Sequence, residues 1–149
     1  LELSYLLCYP LVPLSFAAMV FWNGDPDDFW ATVLLAVFGC YGLLPWLPTR
    51  PPRALPSETE ALCRPSVFRR LNIAVLGRAS IQVNTFPSGH VAAALAAALA
   101  VGQVHLTVAA AITLLAVSIA VAAVVGRYHY AADVVLGAAM ALIAFAVTR

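Results

Sequence analysis

No lysine occurs among the 149 residues, and charged side chains of every kind make up only 10% of them. All eight basic residues are arginines set against seven acids, for a net charge of +1, so no polybasic segment points to nucleic acid as a partner. Cysteine is scarce: Cys8, Cys40 and Cys63 stand far apart, two of them inside apolar runs, without the paired spacing that metal sites need. They read as small core hydrophobes. The chain also lacks a Walker phosphate loop and a His-Glu-x-x-His zinc pattern. What it has in excess is apolar surface, with 63% hydrophobic residues and a mean hydropathy of +0.93, far from a soluble average. Such a composition predicts a chain embedded in a bilayer, with membrane lipids as its surroundings.

Five apolar runs come near the roughly 20 residues that cross a bilayer. Tyr5 to Trp22 and Trp30 to Leu47 read as a helical hairpin with aromatics towards its ends. The aspartates of the intervening turn, Asp25, Asp27 and Asp28, are expected to cap the second helix, since no downstream Glu completes a calcium loop. Val91 to Val125 is too long for one crossing and is expected to reverse at Gly102, Gln103 and His105, with His105 structural. This gives a third span from Pro87 to about Val101, a fourth from Leu106 to Val125, and a fifth from Tyr130 to Val147 in which Gly137 and its alanines allow close contact. Residues 48–85 differ, holding six of the eight arginines and no spanning run. They are expected to form an extramembrane loop, with a capping-box spacing at Ser57 to Glu60 and an amphipathic segment on the headgroups. In that segment Phe68, Leu71 and Val75 oppose Arg69, Arg70 and Arg78, the arginines serving as headgroup contacts. The expected fold is all-α, a single membrane domain built as a polytopic transmembrane helical bundle with five readable spans.

The stretch with the most chemistry is Phe86-Pro87-Ser88-Gly89-His90, a polar turn opening onto the third span. Proline suits the first helical position, and Ser88 with Gly89 leaves bare N–H groups where an anion is favoured, with the His90 imidazole beside them. Counting crossings returns Gly126-Arg127-Tyr128-His129 to the same face, along with Arg50 and Arg53. Asp133 follows His129 by four residues, so on a helix the two share a face and can hydrogen-bond. A carboxylate one turn into an apolar span costs about 2.5–3.5 kcal/mol, which marks it as functional; the bland alternative is a structural pairing with Arg127. Two histidines, one with a carboxylate partner, plus guanidinium groups and a helix start suit phosphoryl transfer without any metal or other cofactor.

These residues resemble the type 2 phosphatidic acid phosphatases, which are related to bacterial acid phosphatases and vanadium haloperoxidases and carry the motifs KxxxxxxRP, PSGH and SRxxxxxHxxxD. Pro87-Ser88-Gly89-His90 matches the second motif in full, and His129 with Asp133 matches the end of the third. The resemblance implies His129 as the nucleophile that becomes phosphohistidine, Asp133 as its orienting partner, His90 as the general acid, and Ser88 and Gly89 as phosphate-binding. Two departures stand out: Leu43 occupies the first motif's lysine position before Arg50-Pro51, and Ala123 occupies the third motif's arginine position, with Arg127 nearer the histidine. Arg50, Arg53 and Arg127 are therefore candidate phosphate ligands rather than motif matches. The compact Arg127 to Asp133 form is similar to inositol phosphorylceramide synthases, which keeps a headgroup phosphotransferase beside the lipid-phosphate phosphatase; a non-catalytic bundle is the third reading. Location in a bilayer implies a lipid phosphate as substrate, and the alanine-rich, lysine-free composition suggests a bacterial source. A positive-inside count would put the arginine-rich face in the cytoplasm, whereas the resemblance favours the extracytoplasmic face of the plasma membrane and implies a further span ahead of Leu1.

Overall fold

The computed structural model describes residues 1–47, 49–55, 66–79 and 86–149. Among them all regular structure is helical: α1 (Glu2–Leu6), α2 (Cys8–Phe21), α3 (Pro26–Leu43), a 3-10 turn (Pro52–Ala54), α4 (Val67–Ala79), α5 (Gly89–Val101), α6 (Leu106–Val125) and α7 (Ala131–Val147). The Ser57 to Glu60 spacing and Cys63 lie outside the described residues.

Local chemistry sets the helix limits. The first apolar run is divided at Leu7, because Pro10 has no N–H to offer the Leu6 carbonyl, while the helical conformation of Leu7 keeps α1 and α2 running on. The second begins four residues earlier than the apolar run suggests, at Pro26, where the Asp25 carboxylate accepts the Asp27 N–H at 2.8 Å and Asp27 and Asp28 fill the first turn. The long run reverses as expected. His105 caps α6, its Nδ1 accepting the Val108 N–H at 3.3 Å, and its ring lies 4.4 Å from that of Trp22. By length and composition α6 is the one described helix able to cross a membrane alone, while α2, α5 and α7 are apolar but shorter.

The bundle is organised around α5, which packs on α2, α3, α6 and α7. Its side chains explain that centrality: Ala92, Ala94, Ala96, Ala97, Ala98 and Ala100 are all buried. Methyl groups on every side let four helices approach one axis, with Phe29, Val33, Met19 and Cys40 supplying the bulk around it. At the end away from the α5 N-terminus, the Thr32 and Thr148 hydroxyls meet at 2.9 Å and Arg149 pairs with Asp28 at 3.1 Å, tying the start of α3 to the end of α7.

Helix α4 has the helical extent the periodicity suggests, with Phe68 and Leu71 exposed and Asn72 and Leu76 buried. One of its arginines departs from the expected role. Arg69 turns inward with them and donates to the Gly126 carbonyl at 2.6 Å, so it is a packing residue and not a headgroup contact. The Gly126 carbonyl and the Glu2 carboxylate, 3.3 Å away, draw the guanidinium in.

Candidate active site

Three chain segments meet at the α5 N-terminus. Ser88 is the N-cap of α5, its Oγ accepting the Val91 N–H at 3.5 Å, and its own N–H donates to the Asp133 carbonyl of α7 at 2.9 Å. Pro87 thus precedes the cap and lies outside the helix, two positions before the first helical residue where it was expected, because the Ser88 side chain takes the capping role. Two glycines make the approach possible. A Cβ on Gly137 would overlap the Ser88 carbonyl oxygen, and one on Gly89 would come within 2.9 Å of the Tyr41 ring.

The His129–Asp133 pair forms, but not along one helix face as expected: α7 begins at Ala131 with Tyr130 as its N-cap, so His129 lies just ahead of the helix and the Asp133 carboxylate reaches back to it from the first turn. Nδ1 of His129 lies 3.2 Å from Oδ2 of Asp133, and the same oxygen accepts the Tyr130 N–H at 3.0 Å. A carboxylate can only accept, so Nδ1 carries the proton and Nε2 keeps a lone pair free for chemistry. Both residues are buried, at 7% and 2% exposure, so little water competes for the bond. His90 comes to the same place, its ring 6.3 Å from that of His129 and nearly perpendicular. One small anion above the α5 N-terminus could touch both imidazoles.

The arginines divide into different tasks. Arg53 sits on the 3-10 turn, and its backbone N–H donates to the Arg127 carbonyl at 2.9 Å. Its Nη2 is buried and has no hydrogen-bond partner among the described residues, and its charge is felt by Tyr5 and Tyr9, the rings that flank His90. A buried guanidinium nitrogen without an acceptor is costly and suits an incoming anion. Arg127, expected to bind phosphate, directs its Nη2 to the carbonyls of Pro52 at 2.8 Å and Leu55 at 3.0 Å. Its backbone is in the left-handed region, φ 59°, which costs a side-chain-bearing residue about 1–3 kcal/mol. Those carbonyl bonds help offset the strain and fix the turn that carries Arg53. Arg50 is exposed at the edge of the same connection.

Spacing alone did not point to the aromatic surround. Tyr5 meets His90 edge-on with ring centroids 5.8 Å apart, Tyr9 does so at 5.6 Å, and Tyr41 lies against Gly89. The only prior signal was the concentration of tyrosine at the ends of the first two apolar runs. Ala123, at the position of the motif arginine, is fully buried, and its carbonyl accepts both the Tyr128 and the His129 N–H, at 2.9 and 3.0 Å. No cluster of metal-ligating side chains occurs among the described residues.

Comparison with known proteins found no match among curated proteins and none among solved structures. The family model described as the PAP2 superfamily matches residues 1–147, a span that takes in every helix above together with Ser88, His90, His129 and Asp133. With nearly its whole length matched, the chain belongs to the type 2 phosphatidic acid phosphatase (PAP2) superfamily.

Proposed function

We propose that the chain is an integral membrane phosphatase that hydrolyses a phosphomonoester or diphosphate of a lipid through a phosphohistidine on His129. Membership in the superfamily supports a phosphatase-type or related lipid-phosphate activity. The observation that carries the finer reading is the meeting of a buried His129–Asp133 pair, His90, the Ser88-capped helix start and the unpartnered Nη2 of Arg53. In the reaction, Nε2 of His129 attacks phosphorus while the bond from phosphorus to the leaving oxygen breaks. His90 gives that oxygen its proton, and Asp133 holds the imidazole in the reactive tautomer and stabilises its positive charge. Water then attacks the phosphohistidine, His90 takes the proton, and inorganic phosphate leaves. Arg53 and the N–H groups at the start of α5 stabilise the equatorial oxygens, with Ser88 and Gly89 forming the floor.

A bilayer setting is supported by the outward faces of the helices. Leu14, Phe21, Phe38, Leu114, Val135 and Leu142 are all exposed, which is apolar surface that lipid would cover. On this reading α1 with α2, then α3, α5, α6 and α7, are five crossings, and Val67, Phe68 and Leu71 of α4 lie on the headgroups with Arg70 beside them. We place the site on the extracytoplasmic face of a bacterial plasma membrane, in line with the family resemblance.

One observation favours a second reading, transfer of a phosphoryl-linked headgroup to an alcohol. The motif arginine is replaced by a fully buried alanine, and the only arginine between it and the nucleophile is turned to backbone carbonyls, giving the compact third motif. Purified protein given radiolabelled phosphatidic acid in mixed micelles separates the two. Release of inorganic phosphate without added alcohol, abolished in His129→Ala and His90→Ala and inhibited by vanadate, is the expected result. Strict dependence on an added alcohol would establish the transferase. Full activity in His129→Ala would end the phosphohistidine mechanism.

A further inference from the structure

Beside the candidate active site lies a second, partly buried polar cluster that the chemistry above does not use. Oε2 of Glu2 accepts the Tyr128 hydroxyl at 2.6 Å and the Asn72 side-chain amide at 2.6 Å, and Oε1 accepts from Arg69 at 3.3 Å. Asn72 also donates to the Glu2 backbone carbonyl at 3.0 Å. The Arg69 guanidinium sits 4.9 Å from the centre of the Tyr128 ring while bonding the Gly126 carbonyl. Residues from α1, α4 and the α6–α7 turn are thereby locked together around one phenol. Burial, reinforced by the bond to Glu2, pushes the Tyr128 hydroxyl well above the usual tyrosine range and keeps it a donor.

The phenol in turn reaches both histidines. Tyr128 precedes His129 directly, and the two share the Ala123 carbonyl as backbone acceptor. Its ring, 1% exposed, stacks on Tyr5 at 4.0 Å with 14° between the planes, and Tyr5 meets His90 edge-on. One rigid stack therefore runs from Glu2 through Tyr128 and Tyr5 to His90, with His129 covalently attached at its middle. Tyr128 has no hydrogen bond to His90, His129 or Asp133 among the described residues. Its influence is on where they sit.

We propose that Tyr128 is a positioning residue for His129 and His90, and that Glu2 with Arg69 sets its position, which makes α1 and α4 parts of the active-site assembly. The proposal rests on the reading of the two histidines as nucleophile and acid. It is separable from a merely structural role because Tyr128→Phe keeps the ring stack and removes only the bond to Glu2.

The test uses the full chain in mixed micelles with radiolabelled phosphatidic acid. Tyr128→Phe is expected to lower kcat about tenfold, the scale of one buried hydrogen bond, with KM unchanged. Tyr128→Leu, which removes the stack as well, is expected to lose on the order of 10²-fold, the scale of a small misplacement of reacting groups. Glu2→Gln, which keeps an acceptor, should recover most of what Glu2→Ala loses. A second readout does not need activity: modification of histidines by diethyl pyrocarbonate, followed by mass spectrometry. His90 and His129 should react faster in Tyr128→Leu, with His105 at the opposite end unchanged. Unaltered kcat and unaltered modification rates would overturn the proposal, as would an equal rise at His105, which would mark general loosening. If the wild-type protein releases no phosphate, the proposed function fails, and the modification rates still decide the role of Tyr128.

Discussion

Consider one methyl group added at Gly137. The glycine lies one turn after Asp133 on α7, and its bare Cα admits the Ser88 backbone: a Cβ there would overlap the Ser88 carbonyl oxygen and lie 3.3 Å from the Ser88 carbonyl carbon. The obstacle is backbone, so a rotamer change cannot relieve it. The Ser88 turn must move off α7, which strains the bond from the Ser88 N–H to the Asp133 carbonyl and shifts the α5 N-terminus relative to His129. Overpacking costs about 1–3 kcal/mol, and replacing a helical glycine by alanine returns about 1 kcal/mol. Net destabilisation should therefore be small, about 0–2 kcal/mol. Activity should suffer more, because a misplacement of about 1 Å in the reacting groups costs on the order of 10²-fold. Gly39→Ala provides the control, since its added Cβ would meet only the flexible end of the Met140 side chain. The assay is phosphate release from radiolabelled phosphatidic acid alongside thermal unfolding in detergent. Wild-type activity in Gly137→Ala, or equal losses in Gly137→Ala and Gly39→Ala, would refute the argument that this glycine seats the turn.

Asp133→Asn should leave the protein folded and reduce kcat by about 10⁴-fold, the effect of losing a tautomer-fixing carboxylate in an analogous site; stopped assays of the purified variant measure it. Arg53→Ala should weaken vanadate inhibition by at least about tenfold, the scale of a charge-assisted hydrogen bond, while the exposed Arg50→Ala changes it little. Asp25→Ala removes the α3 cap at the opposite end of the bundle and should cost about 1 kcal/mol of stability with turnover per folded molecule intact, read by thermal unfolding beside the activity assay.

Much of the site was legible because its signals are local. His129 and Asp133 are four residues apart at a helix start, and the polar Pro87-Ser88-Gly89-His90 turn opens an apolar helix, so the pair and the seat could be read from short range, although His129 precedes α7 and Ser88, not Pro87, marks the start of α5. The nearness of His90 and His129 followed from counting crossings, and the reversal at His105 kept that count. Pairings between distant segments were not legible. Nothing in the spacing of Arg127 says that its guanidinium turns to Pro52 and Leu55, and nothing about Glu2 marks it as the partner of Tyr128. Arg69 was misjudged for a related reason: periodicity finds the apolar stripe of Phe68, Leu71 and Val75 but cannot show that the Gly126 carbonyl and the Glu2 carboxylate draw the neighbouring Arg69 inward. Pro10 sets the break between α1 and α2 that hydropathy hid.

The thirteen residues of α5 rise only ~20 Å, against a hydrocarbon layer of ~30 Å. In a bilayer, a helix this short at the perimeter would have to thin the membrane around it or sink its ends. Screened by α2, α3, α6 and α7, α5 meets protein instead and is exempt from hydrophobic matching. Membranes of different thickness would then press on the perimeter helices, chiefly the twenty-residue α6, and leave the depth of the Ser88 turn unchanged. On the proposed membrane reading, the cost of fitting the fold to a new membrane would fall on the perimeter residues, away from His90, His129 and the alanine axis of α5.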